Sequence, residues 1–282
     1  MQKTLEPAHS ASPACAADLS IAHRAGSARI IQLKPCRPGP CLFLVPGTGG
    51  RIEGFADLAR LIDGPMPVYA IEARGLDDTS EPDSNIDDMI AHYVEQIGAI
   101  QPAPPYFLLG HSFGGMVVYE MAQKLRAMKR EVGGLILLDT VVPKRYWSRK
   151  FLLANLKGRL FDHIHRIFSN PISQSVKYYF RRFNLRARGL HQIPSDLKFG
   201  KDAARMLLAN EMLLKKWEPK FYEGKLTLFM TSDMRELDST WRARVGELEA
   251  HFIDGGHMGL IEWPNVKILA ARISEFLARA AP

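Results

Sequence analysis

The sequence predicts an α/β fold, a mostly parallel sheet flanked by helices, with a helical lid inserted ahead of the last strands. Three observations predict it. Short apolar runs alternate with amphipathic stretches along most of the chain, as strands and helices do in a parallel sheet. Those runs are unbroken rather than alternating with polar residues, the pattern of strands covered on both faces. One long stretch, 142–224, interrupts this rhythm between two such runs.

The elements follow in order. Residues 1–28 are rich in Ala, Ser and Pro without periodicity and read as a flexible leader, leaving 29–282 as one domain. ARIIQLKP is a first short strand, PGP at 38–40 a turn, and CLFLV at 41–45 a buried strand. The glycine-rich loop PGTGGRIEG leads to a short helix with Phe55, Leu58, Ala59 and Ile62 on one face. After the strand PVYAIEA and the polar loop GLDDTSEPDSN, Ile86, Met89, Ile90, Tyr93, Val94 and Ile97 mark a second helix, with Ser84 or Asn85 as its N-cap. PYFLLG is a strand, GGMVVYEMAQKLRAM a helix and GGLILLDT a strand. KLTLFMTS at 225–232 and LEAHFID at 248–254 are two more strands, and NVKILAARISEFLARA closes the chain as an amphipathic helix. The stretch 142–224 reads as helical with breaks at PIS, IPS and EPK, so it is an inserted cap.

Composition bounds the function. The 282 residues are 46% apolar, enough for a sizeable core. No apolar run is long enough to span a membrane, and the N-terminus lacks the apolar core of a signal peptide, so the expected compartment is the cytoplasm. Cys15, Cys36 and Cys41 form neither a disulfide framework nor a zinc pattern. The net charge is +7, but residues 144–225 carry 19 Lys/Arg against 6 Asp/Glu, so the remainder is net negative. That concentrated field is either a solvated helical surface or a docking surface for an anionic partner; with no nucleic-acid motif present, nucleic acid is not the expected partner.

The segment LLGHSFGGMVVYE carries the chemistry. Gly110-His111-Ser112-Phe113-Gly114 is a GxSxG pattern that follows a strand and opens a helix, the context of a nucleophile elbow and so of an α/β-hydrolase (alpha/beta-hydrolase) fold. The turn there is sharp, so its flanking positions must be small, and the free N–H groups of the helix start favour negative charge. Two other readings compete: a serine that receives phosphopantetheine, which would begin a helix of a small helical bundle, and a structural serine in a turn. Neither accounts for the partners found further along.

A serine hydroxyl needs a base, and the base an orienting acid. His257 in DGGHMGLIE follows the last strand and precedes the last helix, where this chain order places the base. His111 lies within the elbow; His92 and His191 read as ordinary helix or loop residues; His163 and His165 have no third ligand nearby, so no metal is expected. Two acids compete: Asp139, ending GGLILLDT, and Asp233, after KLTLFMTS. Both close strands at the carboxyl edge of the sheet, and spacing slightly favours Asp233. The oxyanion requires two backbone N–H donors: Phe113, the residue after the nucleophile, and one from PGTGG, where Thr48 is chosen with Gly47 and Gly49 as neighbours. A phosphate-binding reading of that loop fails, because no GK[ST] follows and Ile52 stands where GxGxxG needs glycine.

The blocks LFLVPGTGG, VYAIEARGLD, QPAPPYFLLGHSFGG, LLDT, KKWEPKFYEGKLTLF and GGHMGLIEWP, in this order, resemble the thioesterase domains of nonribosomal peptide and polyketide synthases, of the chain-terminating kind, from about Leu33 to the C-terminus. The resemblance implies that the acid is Asp139, whereas stand-alone editing thioesterases often use the later position, Asp233. It also implies a lid over about 142–224. The implied activity is release of an acyl, peptidyl or polyketide chain from the phosphopantetheine arm of a carrier protein or synthase module, by hydrolysis or cyclisation through an acyl-Ser112. No resident cofactor is implied. An editing thioesterase and a carboxylester hydrolase with the same three residues are the alternatives, and a ligand-sensing binding protein on the same fold is the non-enzymatic one.

Overall fold

The structure, a computed structural model, describes residues 28–35, 39–76, 80–147 and 201–280. Its strands are β1 (Arg29–Lys34), β2 (Leu42–Val45), β3 (Val68–Glu72), β4 (Tyr106–His111), β5 (Val132–Leu138), β6 (Tyr222–Thr231) and β7 (Val245–Ile253). Among the described residues the helices are α1 (Ala56–Leu61), α2 (Ile86–Ile100), α3 (Phe113–Ala127), α4 (Lys201–Lys216), α5 (Asp238–Arg242) and α6 (Asn265–Ala280). One sheet takes the order β1-β3-β2-β4-β5-β6-β7. Only β1, at its edge, is antiparallel; every other pairing among the described strands is parallel.

The unbroken apolar runs have the two-faced burial expected of them. Phe43, Tyr106, Leu108, Leu135 and Leu228 face one core with α2, α3 and Trp241. Their chain neighbours Leu42, Leu44, Phe107, Leu109 and Ile136 face the other, with α1 and α6. The period of two along each strand thus feeds two separate apolar layers. Of the two N-cap candidates for α2, Asn85 does the work: its side chain accepts from the N–H groups of Asp87 and Asp88.

Some boundaries differ from the sequence reading. β6 begins at Tyr222 and β7 at Val245, each about three residues before the apolar run becomes continuous, because β6 and β7 keep pairing through Lys225 and Glu247. A 3-10 turn at Ser232–Leu237 and the short α5 were not expected. They serve to bury Trp241, whose indole N–H donates to the Thr140 carbonyl at 2.9 Å, just past β5. Of the stretch 142–224, residues 148–200 lie outside the described residues; α4 comes from its last part and buries Met206, Asn210 and Leu213. Cys15 and Cys36 also lie outside them, and Cys41 is a buried free thiol.

The turn from β4 into α3 depends on absent side chains. A Cβ on Gly110 would fall 2.2 Å from the Gly114 carbonyl oxygen, and one on Gly114 would fall 2.0 Å from the Val45 carbonyl oxygen. Both obstacles are backbone, so neither can step aside cheaply. Gly114→Ala is therefore expected to lower stability by about 3 kcal/mol or more, read as a fall in the urea midpoint without a change in slope.

Candidate active site

Ser112 sits between β4 and α3 with φ 55 and ψ −116, a conformation that side chains rarely adopt. Three contacts hold it there. Its N–H donates to the Leu138 carbonyl at 2.8 Å, and its own carbonyl accepts from Gly115 N–H at 3.1 Å and from the Thr140 hydroxyl at 3.1 Å. The strain fixes the serine at the sheet's carboxyl edge, partly exposed, at the start of a helix whose first N–H groups lack intrahelical acceptors.

His257, in the loop between β7 and α6, brings Nε2 to 3.0 Å from Ser112 Oγ. Its Nδ1 lies 2.5 Å from Asp139 Oδ2. An ionised carboxylate can only accept, so Nδ1 carries the proton and Nε2 presents its lone pair to the serine hydroxyl. Asp139 directly follows β5, is 3% exposed and has φ 44. Its other oxygen accepts from Thr231 N–H at 3.0 Å and the Thr231 hydroxyl at 3.1 Å. Burial opposes ionisation of Asp139, but the hydrogen bonds from His257 and Thr231 and the neighbouring imidazole outweigh it and hold the carboxyl below its usual range.

Asp233 does not join this group. It is exposed in the 3-10 turn after β6, and no hydrogen bond links it to His257. Thr231, two residues earlier, is the residue of this strand end that reaches the site, through its bonds to Asp139. The loop 46–50 lies against the serine: a Cβ on Gly47 would be 3.6 Å from Ser112 Cβ. Thr48, the expected oxyanion donor of this loop, is next to Gly47 in the chain, and Phe113, the other, follows Ser112 directly and opens α3. Among the described residues no three His, Cys, Asp or Glu side chains gather as metal ligands would, and His163 and His165 lie outside those residues.

His111 is closer to the site than its position inside the elbow suggested. Its ring stacks on that of His257, centroids 5.0 Å apart, with Nε2 3.4 Å from the His257 carbonyl. Burial, and secondarily the His257 imidazole, push its pKa down to about 4. It therefore stays neutral beside His257 at neutral pH. The unfolded chain protonates this histidine near pH 6.5 and the folded one near 4, so the unfolded state binds more protons between those values. Stability should fall by about 3 kcal/mol as pH drops through that window. Asp139, with its lowered pKa, loses its contribution only below the ordinary carboxylate range. His111→Phe, which keeps the stacked ring, is expected to flatten the fall in urea midpoint between pH 7 and pH 4.5.

Thr231 and His111 carried no sequence signal as site residues. Thr231 reaches Asp139 only because β5 and β6 pair with Leu138 opposite Phe229. For Thr140 a partial signal existed in its position directly after Asp139.

Comparison with known proteins gives a consistent picture. A family model described as thioesterase domain matches residues 40–277. The dimodular nonribosomal peptide synthase of Bacillus subtilis (strain 168) is 39% identical over 110 residues, covering 39% of this chain and 5% of that protein. The non-reducing polyketide synthase PFUR17_0229 of Pseudevernia furfuracea is 25% identical over 267 residues, covering 87% of this chain and 12% of that one. The chain thus spans a small fraction of the length of these curated relatives. Among solved structures, the NocB thioesterase domain from the nocardicin cluster superposes with a TM-score of 0.64 at 23% identity, covering 88% of this chain and 98% of that one.

Proposed function

The chain belongs to the thioesterase domain family, and from that premise we propose that it releases an acyl, peptidyl or polyketide chain from the phosphopantetheine thioester of a carrier protein or synthase module, through an acyl-Ser112 intermediate. The observation that carries the reading is the continuous line from Asp139 Oδ2 through His257 to Ser112 Oγ, at 2.5 and 3.0 Å, on a strained elbow. The relatives' names, a peptide synthase and a polyketide synthase, support the substrate class.

The same geometry supports a two-step acyl transfer. Ser112 Oγ attacks the thioester carbon as His257 Nε2 takes the hydroxyl proton. Asp139 holds the Nδ1–H tautomer and stabilises the imidazolium that forms. The oxyanion is met by the Phe113 N–H and an N–H of the loop 46–50, that of Thr48. The carbon–sulfur bond breaks, His257 returns its proton to the leaving thiol, and the chain remains on Ser112 as an ester. Water, or an amine or hydroxyl of the chain itself, then attacks the ester as His257 takes its proton; the ester carbon–Oγ bond breaks, His257 returns the proton to Ser112 Oγ, and an acid or a ring leaves. His111, neutral and stacked, adds no second positive charge beside the imidazolium.

The test compares turnover of an acyl-loaded carrier protein with that of a short soluble ester of the same acyl group. Faster turnover of the carrier thioester at equal concentration supports the reading. Rapid cleavage of the ester with the carrier left loaded would make the protein a carboxylester hydrolase instead.

A further inference from the structure

Three carbonyls of the loop 46–50 are held by hydrogen bonds. The Gly47 carbonyl accepts from Gly50 N–H at 2.9 Å, and the Gly50 carbonyl accepts from Ala73 N–H at 3.0 Å. Between them lies the Thr48 carbonyl, and its partner comes from far along the chain: Asn210 Nδ2 of α4, at 2.9 Å. Asn210 is 1% exposed, and among the described residues its other amide atom, Oδ1, is buried without a hydrogen-bond partner. The amide is thus oriented by the Thr48 carbonyl, since turning it over would bring two oxygens together. A buried acceptor left unpaired is not what stability alone would select, so the side chain's role lies with the group it does hold.

Around it, α4 closes on the same loop. Gly50 has φ 71, and the place where its Cβ would stand is 3.2 Å from Met206 Cγ. Arg205, one residue before Met206, pairs with Glu81. In a trans peptide the carbonyl and the following N–H point in opposite directions. Fixing the Gly47 oxygen therefore aims the Thr48 N–H, and fixing the Thr48 oxygen aims the Gly49 N–H. Without Asn210 the peptide between Thr48 and Gly49 could rotate, because Gly49 offers little resistance.

We propose that Asn210 is a positioning residue for acyl transfer: by holding the Thr48 carbonyl from α4 it fixes the peptide that follows Thr48, and so keeps the loop 46–50 in the shape that presents the Thr48 N–H to the oxyanion formed over Ser112. The inference rests on the acyl-serine mechanism above but not on the identity of the acyl carrier. It makes α4 part of the active-site machinery, so that a displacement of α4 would also disarm the oxyanion donors.

The test uses the full chain with Asn210→Leu, which keeps the volume and removes the donor, and Asn210→Asp, which keeps the shape and sets a carboxylate against the carbonyl. Three quantities are read on whichever thioester or soluble ester the wild type turns over: kcat, KM, and affinity for a boronic acid that becomes a tetrahedral anion on Ser112. Removing an oxyanion donor outright costs about 100-fold or more; misaiming one is expected to lower kcat about tenfold, weaken the boronate about tenfold, and leave KM within about twofold. Such a split, in either variant with a wild-type urea midpoint, supports the proposal. Wild-type kcat and boronate affinity in both variants would overturn it, as would losses that only track a falling urea midpoint. If the wild type is not labelled at Ser112 by a fluorophosphonate, the acyl-serine mechanism itself fails and this proposal with it. If the wild type cleaves a soluble ester but leaves a carrier loaded, only the substrate reading fails, and the Asn210 comparison stands on the ester.

Discussion

Ser112→Ala is expected to lower acyl release by about 10⁵-fold or more, to the background that binding and oxyanion donors alone supply. Among the described residues no neighbouring group is placed to replace it as nucleophile. Ser112 Oγ is the atom 3.0 Å from His257 Nε2, and the hydroxyl of Thr140 is committed to the Ser112 carbonyl. The variant should fold as the wild type does, because Oγ supports no buried structure and alanine removes only that atom. Loading assays by mass, at enzyme concentrations high enough to see slow release, measure the ratio directly. A residual rate near wild type would mean that another residue receives the acyl group.

Asp139→Asn should cost about 10⁴-fold in kcat, while Asp233→Asn should leave kcat unchanged. At position 139 an amide can present its N–H₂ to His257 Nδ1 and favour the tautomer with the proton on Nε2. The imidazole would then offer Ser112 a donor where the reaction needs an acceptor, and the positive charge formed in the transition state would lose its counter-charge. Thr231 would meanwhile keep both of its bonds to the side-chain oxygen, so the fold should survive. Asp233 is exposed on the far side of Thr231 and holds none of these atoms. Kinetics of the two variants side by side decide between the acids; loss in Asp233→Asn with normal Asp139→Asn activity would reassign the acid and favour an editing enzyme.

The contrast between these two aspartates shows how far the sequence could be read. The strands, their two-faced burial and the elbow were legible because unbroken apolar runs and small residues around Ser112 have one physical explanation each. Ser112 and His257 were legible from their place in the chain order. The acid was not legible from spacing, since Asp139 and Asp233 both follow strands at the same sheet edge and spacing slightly preferred Asp233; only the resemblance to chain-terminating thioesterase domains pointed to Asp139, the residue that meets His257. What separates them is lateral register: β5 and β6 align so that Thr231, not Asp233, meets the site, and the short turn after Thr231 carries Asp233 into solvent. That turn could not be read because it is only a few residues long and shows no helical period. Asn210 was out of reach for a related reason, since a contact between residues 162 positions apart leaves no local trace. His111 read as a local packing residue, and its stacking on His257 depends on where a loop 146 residues later returns.

The central claim is that Ser112 takes an acyl group from a carrier-bound thioester. The most direct measurement is the intact mass of the enzyme, quenched in acid shortly after mixing with acyl-loaded carrier protein, followed by mapping of the modified peptide. The account predicts a transient enzyme species heavier by the acyl group less one hydrogen, mapped to Ser112 and absent from Ser112→Ala, while the carrier returns to its free-thiol mass. A carrier that is unloaded at the wild-type rate by Ser112→Ala, or an acyl group mapped to another residue, would contradict it.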